Sequence, residues 1–224
     1  MTLIGYWPLN EDSGNTAYDH SGNENHGTIN DGGDSTVPGA NGVLGQNAYS
    51  FDGNNDYVNI DYSTGQYSDF TASLWVKHDD WSGNGREGAF ATGENRSSKP
   101  LNWDRDDPYQ FAHYRGDATG RVMRVQNISD GWHHVVVTQR RIDSSTIKLK
   151  MYWDGKQVDQ ASGDYENVDL TKFVYIGWNT TSGYEWNGKI SEVRIYQRPI
   201  TPSEIQYLYN TSKRGQNTTS KKTS

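Results

Sequence analysis

Trp132-His133-His134-Val135-Val136-Val137-Thr138, followed by Lys148-Leu149-Lys150-Met151-Tyr152-Trp153-Asp154-Gly155-Lys156, decides the fold. The first run is short, apolar and rich in β-branched residues, which reads as a strand buried within a sheet. In the second, Ile147, Leu149, Met151 and Trp153 share one face and Lys148, Lys150 and Tyr152 the other, because successive strand side chains point to opposite sides. Asp154-Gly155 is the two-residue signature of a tight hairpin. His133 and His134 are neighbours on one strand, so they face opposite sides and cannot together hold a zinc ion. With no cysteine or acidic partner placed beside them, they read as satisfied sheet histidines. Nothing in the stretch is reactive; it is scaffold.

The same period continues on both sides. Phe70, Ala72, Leu74 and Val76 alternate with Thr71, Ser73, Trp75 and Lys77, a half-buried strand. Leu3–Leu9 reads as an edge strand. Ala48–Phe51 and Tyr57–Ile60 flank Asp52-Gly53-Asn54-Asn55, a second hairpin signal. Further strands are expected at Tyr109–Arg115, Arg121–Gln126 and Phe173–Trp178. The last, Lys189–Gln197, breaks parity: Val193 and Ile195 share a face, but Ile190 lies three before Val193. A β-bulge near Ser191-Glu192 restores Ile190 to the core. Thr201-Pro202-Ser203-Glu204 is a capping box with proline at the first helical position, and Ile205, Leu208 and Tyr209 follow as docking residues. After Asn210 the chain turns Ser/Thr/Lys-rich and reads as a flexible tail. Many short strands separated by Gly and Asn turns point to an all-β sandwich or barrel with one short C-terminal helix, and 224 residues suit one such domain.

Composition narrows the function classes. Hydrophobic residues make up only 32%, but the chain holds 8 Trp and 15 Tyr, whose large rings supply the missing buried area. The net charge is −7, and the last twelve residues carry Lys213, Arg214, Lys221 and Lys222, leaving the body at −11. A nucleic-acid protein needs a basic face, and only the tail offers one. The acidic body fits a salty, halophilic setting. No run is long and apolar enough to span a membrane as a helix, and Met1–Trp7 enters a strand pattern with no visible signal peptide. The absence of cysteine argues against an oxidising eukaryotic compartment and leaves bacterial, archaeal and viral surfaces open.

Gly5-Tyr6-Trp7-Pro8-Leu9, the loop from Tyr18 to Gly27, Ser50-Phe51-Asp52-Gly53, Asp56-Tyr57-Val58, Phe70–Lys77, Trp132–Val135, Gly188–Tyr196 and the capped helix occur in an order that resembles the laminin G-like branch of the concanavalin A-like lectin/glucanase superfamily. The resemblance covers about residues 3 to 210. It implies a two-sheet antiparallel jelly-roll β-sandwich, a frequent structural calcium and a frequent carbohydrate-binding role. It sets a domain over 1–210 and a basic tail over 211–224. The chain departs at Ser191, where relatives commonly carry an Asp that helps hold the calcium.

Two candidate sites follow. Asp19, Asn23 and Asn25, with Ser21 between them, offer oxygens from one turn of the polar Asn10–Asn47 stretch, and Glu192 adds an acid; calcium takes six to eight such oxygens. The plain alternative is an Asx-turn loop that needs no ion. Trp81, Trp103, Asp104, Arg105, Tyr184 and Trp186 lie in the expected loops 78–107 and 179–186, where rings beside charged groups make a sugar platform. The alternative is that these rings fold back to cover the ends of the sandwich. Paired carboxylates at glycosidase spacing are missing, the eight Glu are scattered, and no nucleophile elbow occurs, so the chain reads as a non-enzyme. Five Asn-x-Ser/Thr sequons, at Asn95, Asn127, Asn179, Asn210 and Asn217, mark exposed loops if glycosylated.

These features point to a non-catalytic surface recognition or adhesion module. Its expected partner is a cell-surface glycan or glycoprotein, and a viral host-attachment component is one setting. The rival reading is a structural subunit of a virion spike, turret or fibre, or of a surface layer, packed as a homo-oligomer or against virion neighbours with no glycan affinity.

Overall fold

The computed structural model describes residues 3–32, 38–43, 46–61, 65–82, 86–92, 102–105, 110–114, 123–164, 168–169, 173–178 and 183–219. Two eight-stranded antiparallel sheets enclose one core. The first runs β15 (Lys156–Asp164), β14 (Thr146–Trp153), β13 (His133–Arg141), β8 (Phe70–His78), β18 (Asn187–Tyr196), β5 (Asn47–Asp52) and β4 (Ala40–Asn41), with β1 (Leu3–Trp7) also joined to β18. The second runs β12 (Met123–Gln126), β11 (Gln110–Tyr114), β10 (Asn102–Arg105), β9 (Glu87–Thr92), β17 (Phe173–Ile176), β6 (Asp56–Asp61), β3 (Gly27–Asp31) and β2 (Thr16–Ala17). A small ribbon pairs β7 (Gln66–Tyr67) with β16 (Val168–Asp169).

The core follows the period of two. Leu74, Val76, Val135, Val137, Leu149 and Met151 come from the first sheet, and Val58, Ile60, Val174 and Ile176 from the second, all buried. The hairpin between β14 and β15 turns on Asp154 (φ 51°) and Gly155 (φ 78°), the left-handed pair a two-residue turn needs. Asp154 also ties the turn to the start of β13: Oδ1 accepts the His134 amide at 2.9 Å and Oδ2 pairs with His133 Nδ1 at 2.8 Å. The bulge lies where parity required it. Ser191 pairs with Trp75 and Arg194 with Ser73, so three steps on β18 match two on β8, and Ile190 and Val193 both reach the core. Glu192 takes φ 58° at the bulge and gives its N–H to the Pro8 carbonyl at 3.1 Å. β1 and β5 share the free edge of β18 on either side of it.

Three expectations change. The polar Asn10–Asn47 stretch, expected to supply a turn, also contributes strands, namely β2, β3 and β4. The expected loop from His78 to Asp107 contains β9 and β10. The helix α1 runs from Pro202 to Thr219, past Asn210, where the tail was expected to begin. Its capping box forms: the Thr201 amide donates to Glu204 Oε2 at 2.7 Å and the Glu204 amide to Thr201 Oγ1 at 3.3 Å.

That helix covers the outer face of the first sheet. Ile205 and Leu208 pack on Val136, Tyr152, Tyr196 and Ile200. The Tyr209 ring stacks on Trp75 at 5.7 Å and an interplanar angle of 10°. Thr71, Ser73 and Trp75, outward in the alternation, are therefore buried as well. His134 lies in the same layer, stacked on Trp75 at 5.2 Å, with Nε2 at 2.9 Å from Ser73 Oγ and Nδ1 buried without a hydrogen-bond partner.

Burial and then the nearby Arg194 guanidinium push the His134 imidazole down to about 3. A base whose folded value is depressed costs nothing above its ordinary 6.5 and destabilises as pH falls, because the unfolded chain takes the proton first. Each pH unit below 6.5 costs about 1.4 kcal/mol until the folded value is reached. His133 opposes this: burial pulls it down, but the Asp154 carboxylate and the Ser129 carbonyl hold it above its ordinary value. Comparison with a His134→Phe variant isolates the first effect. Between pH 7.5 and pH 5, urea unfolding of the parent chain is expected to lose about 2 kcal/mol more than that of the variant. Equal losses would show that His134 does not titrate on unfolding.

Candidate functional site

Two rings of the platform expected from the loops, Trp81 and Trp186, do not reach the surface. Trp81 and Trp186 are fully buried, and they build an aromatic nest between the sheets instead. Trp81 meets Trp186 edge-on at 6.0 Å and Trp153 at 6.4 Å, while Phe111 lies 5.5 Å from Trp153 and 6.2 Å from Trp186. Both rings thus follow the alternative reading, folding inward where the chain has few aliphatics. Tyr184 is half-buried, and its carbonyl accepts the Gly88 amide at 2.8 Å. Trp103, Asp104 and Arg105 stand on β10 opposite His113, Ala112 and Phe111; their side chains lie outside the described residues.

The expected calcium ligands do not form an oxygen shell either. The Asp19 carboxylate already accepts four protein donors: the Tyr6 amide at 2.9 Å, the Ser21 amide and hydroxyl at 2.8 Å each, and the Asn25 amide at 3.1 Å. The side-chain amides of Asn23 and Asn25 donate to the Ile4 carbonyl at 3.3 and 3.1 Å. The Trp7 indole N–H reaches the Asn25 carbonyl at 2.8 Å. The loop is stapled to β1 as an Asx turn. Glu192 is engaged elsewhere: Tyr6 Oη donates to Oε1 at 3.0 Å, and the Arg194 guanidinium is paired with the same carboxylate and lies 4.1 Å over the Tyr6 ring. Burial, with Glu192 acting against Arg194, raises the Tyr6 hydroxyl to about 12. Among the described residues no cluster of three His, Asp or Glu could hold a metal, and this donor set does not fit calcium.

A different face gathers rings and amides. On β6, Val58 and Ile60 point inward, so Tyr57 and Asn59 point outward. Register places Asn59 between Thr28 of β3 and Tyr175 of β17, and places Ala91 of β9 beyond Tyr175. Tyr57 stands opposite Asn30, whose Nδ2 donates to the Tyr57 hydroxyl at 2.8 Å. Just past β17, Gly177 turns the chain at φ 83°, and a Cβ there would strike the Phe51 ring. The turn brings Trp178 to 4.9 Å from Tyr57 and 5.3 Å from Tyr175, with Tyr57 and Tyr175 6.1 Å apart. Tyr57 and Trp178 are half-buried, Tyr175 beneath them is buried, Thr28 and Asn30 are exposed, and the buried Asn59 Oδ1 has no hydrogen-bond partner. A ring cluster with partly exposed faces beside amides suits a sugar: C–H faces lie on rings and hydroxyls exchange hydrogen bonds with amides. Sequence alternation puts Tyr57, Asn59 and Tyr175 on the outward side, but their meeting needs the β6–β17 register.

Two antiparallel layers around an aromatic core define a β-sandwich of the lectin-like fold. The chain belongs to the concanavalin A-like lectin/glucanases superfamily, whose laminin G-like family model matches residues 52–206. No curated protein matches the sequence. Solved structures share the fold. The binding domain of Paraclostridial Mosquitocidal Protein 1 is 16% identical with a TM-score of 0.69, the match covering 94% of this chain and 52% of that one. Domain 4 of AbnA, an extracellular arabinanase from Geobacillus stearothermophilus seen in complex with arabinotriose, is 21% identical with a TM-score of 0.65 over 93% of this chain and 98% of that one. The botulinum neurotoxin serotype D ligand binding domain in complex with N-acetylneuraminic acid is 14% identical with a TM-score of 0.67 over 93% and 50%. The chain thus spans about half the length of the toxin binding domains that it matches.

Proposed function

We propose that this chain is a non-catalytic carbohydrate-recognition module that takes a surface glycan across Tyr57, Tyr175 and Trp178. The observation that carries the reading is the ring triad set beside Asn30 and the unpartnered Asn59 amide oxygen on one sheet face. The sugar complexes of the arabinanase domain and the neurotoxin domain support the ligand class. An extracellular setting goes with it, as for the arabinanase. Among the described residues no helix is long and apolar enough to cross a membrane.

A glycan array identifies the ligand, with arabinotriose and N-acetylneuraminic acid among the probes. Trp178→Ala and Tyr57→Ala are each expected to weaken binding about tenfold, the 1–1.5 kcal/mol of a lost ring contact. Both rings are half-buried at the surface, so the unfolding midpoint is expected to move little. Unchanged affinity in both variants would remove the site, and a parent chain that binds no glycan would remove the function.

A further inference from the structure

A second polar surface lies on the other sheet. Beside the N-terminal end of α1 a cleft of about 470 Å³ is lined by Thr138, Arg140, Lys148, Lys150, Tyr152 and Ile200, with Ile142 and the two prolines at 199 and 202 on its walls. Arg140 stands directly opposite Lys148, and Lys150 opposite Thr138, in the β13–β14 register. Residues two apart on a strand share a face, so the three cations line one side of the pair. Ser162 and Gln160 of β15, opposite Lys148 and Lys150, are neutral.

Among the described residues no hydrogen bond or ion pair holds Arg140, Lys148 or Lys150. Two acids of adjoining segments, Glu204 and Asp69, are already bonded. The Glu204 carboxylate is bound by Arg198 Nη1 at 3.0 Å and by the Thr201 amide and hydroxyl at 2.7 and 2.9 Å. Asp69 Oδ1 takes the Arg141 amide at 2.7 Å. Like charges directly opposite on adjacent strands repel and destabilise a sheet. Here that cost falls in an otherwise acidic body of net −11. A ligand carrying negative charge would remove it.

We propose that this cleft is a second binding site, for an acidic sugar chain bearing carboxylates or sulfates. The cations take the acid groups, the Tyr152 and Thr138 hydroxyls take ring hydroxyls, and Ile142, Pro199 and Pro202 take the apolar C–H faces. The cleft lies on the sheet opposite the Tyr57–Tyr175–Trp178 face, so the two sites are independent. A long nucleic-acid polyanion fits less well, because three cations cannot offset its repulsion by the acidic body.

The test is calorimetric titration of the full chain with polygalacturonate, dextran sulfate, neutral dextran, polyglutamate and a single-stranded DNA oligonucleotide, at two salt concentrations. At least one of the two acidic polysaccharides is expected to bind, and which one separates a carboxylate from a sulfate site. Neutral dextran is expected not to bind. Arg140→Gln/Lys148→Gln is expected to weaken binding at least tenfold and to flatten its salt dependence, with thermal stability unchanged or raised. Tyr57→Ala is expected to leave it unchanged, which separates this site from the first. Equal binding by parent and double variant, binding of polyglutamate or DNA as tight as that of the sugars, or no binding to either acidic polysaccharide would overturn the proposal.

Discussion

Replacing Trp186 with alanine is expected to lower the unfolding free energy by about 3–5 kcal/mol, the range for removing a buried aromatic from a packed core. Trp186 is fully buried and touches Trp81, Phe111 and His78, the last at 4.9 Å and edge-on. The nest lies within the core between the layers, where truncating a ring leaves a void. Urea unfolding read by tryptophan fluorescence measures the change. A loss below 1 kcal/mol would mean that the ring is not packed as described. The same variant separates two roles for tryptophan here, since any effect of Trp186→Ala on sugar binding should scale with the unfolded fraction, whereas Trp178→Ala should act on affinity alone.

The second large effect concerns charge. Glu192→Gln is expected to destabilise the chain by about 3 kcal/mol or more, because it strands the Arg194 guanidinium with no counter-charge. The Glu192 side chain is only 2% exposed and that of Arg194 14%, so water screens the pair little. The substitution also weakens the acceptor for Tyr6 Oη. Glu192→Gln/Arg194→Met, which removes both charges, is expected to recover much of the loss. If the double variant is as unstable as the single one, the shape of the bulge rather than its charge holds β18 in register.

Much of the fold could be read from residue order alone, for local reasons. The Asp154-Gly155 turn, the parity break at Ser191-Glu192 and the Thr201–Glu204 cap each depend on neighbours within a few positions, and each forms as its chemistry requires. β8 was half legible. Its alternation is plain, but the burial of Thr71 under Arg198 and Ile200 and of Trp75 under Tyr209 depends on a segment more than a hundred residues away, and no period of two encodes that cover. The inward turn of two expected platform rings has the same origin. Trp81 and Trp186 sit among Asp, Ser and Asn, which suggests exposure, yet a ring's direction is set by the space between sheets. Tyr57, Tyr175 and Trp178 become one surface only through strand pairing. Asp19 organises its loop as an Asx turn does, with four protein donors on its carboxylate, an arrangement local enough to read from the chain.

The joining of Leu3 to Tyr196 and of Trp7 to Val193 has a kinetic meaning. A ribosome exposes Leu3 long before Tyr196, so the central layer stays open along one margin until the residues between them are made. Pairings this distant in sequence are slow to find, and sandwiches dominated by them mature in milliseconds to seconds. Until β18 arrives, β1 and β5 lack the strand that both must join, and the nascent chain has to avoid sticking to its neighbours. The polar, glycine-punctuated stretch between these two early strands carries little of the apolar surface that drives such misassociation.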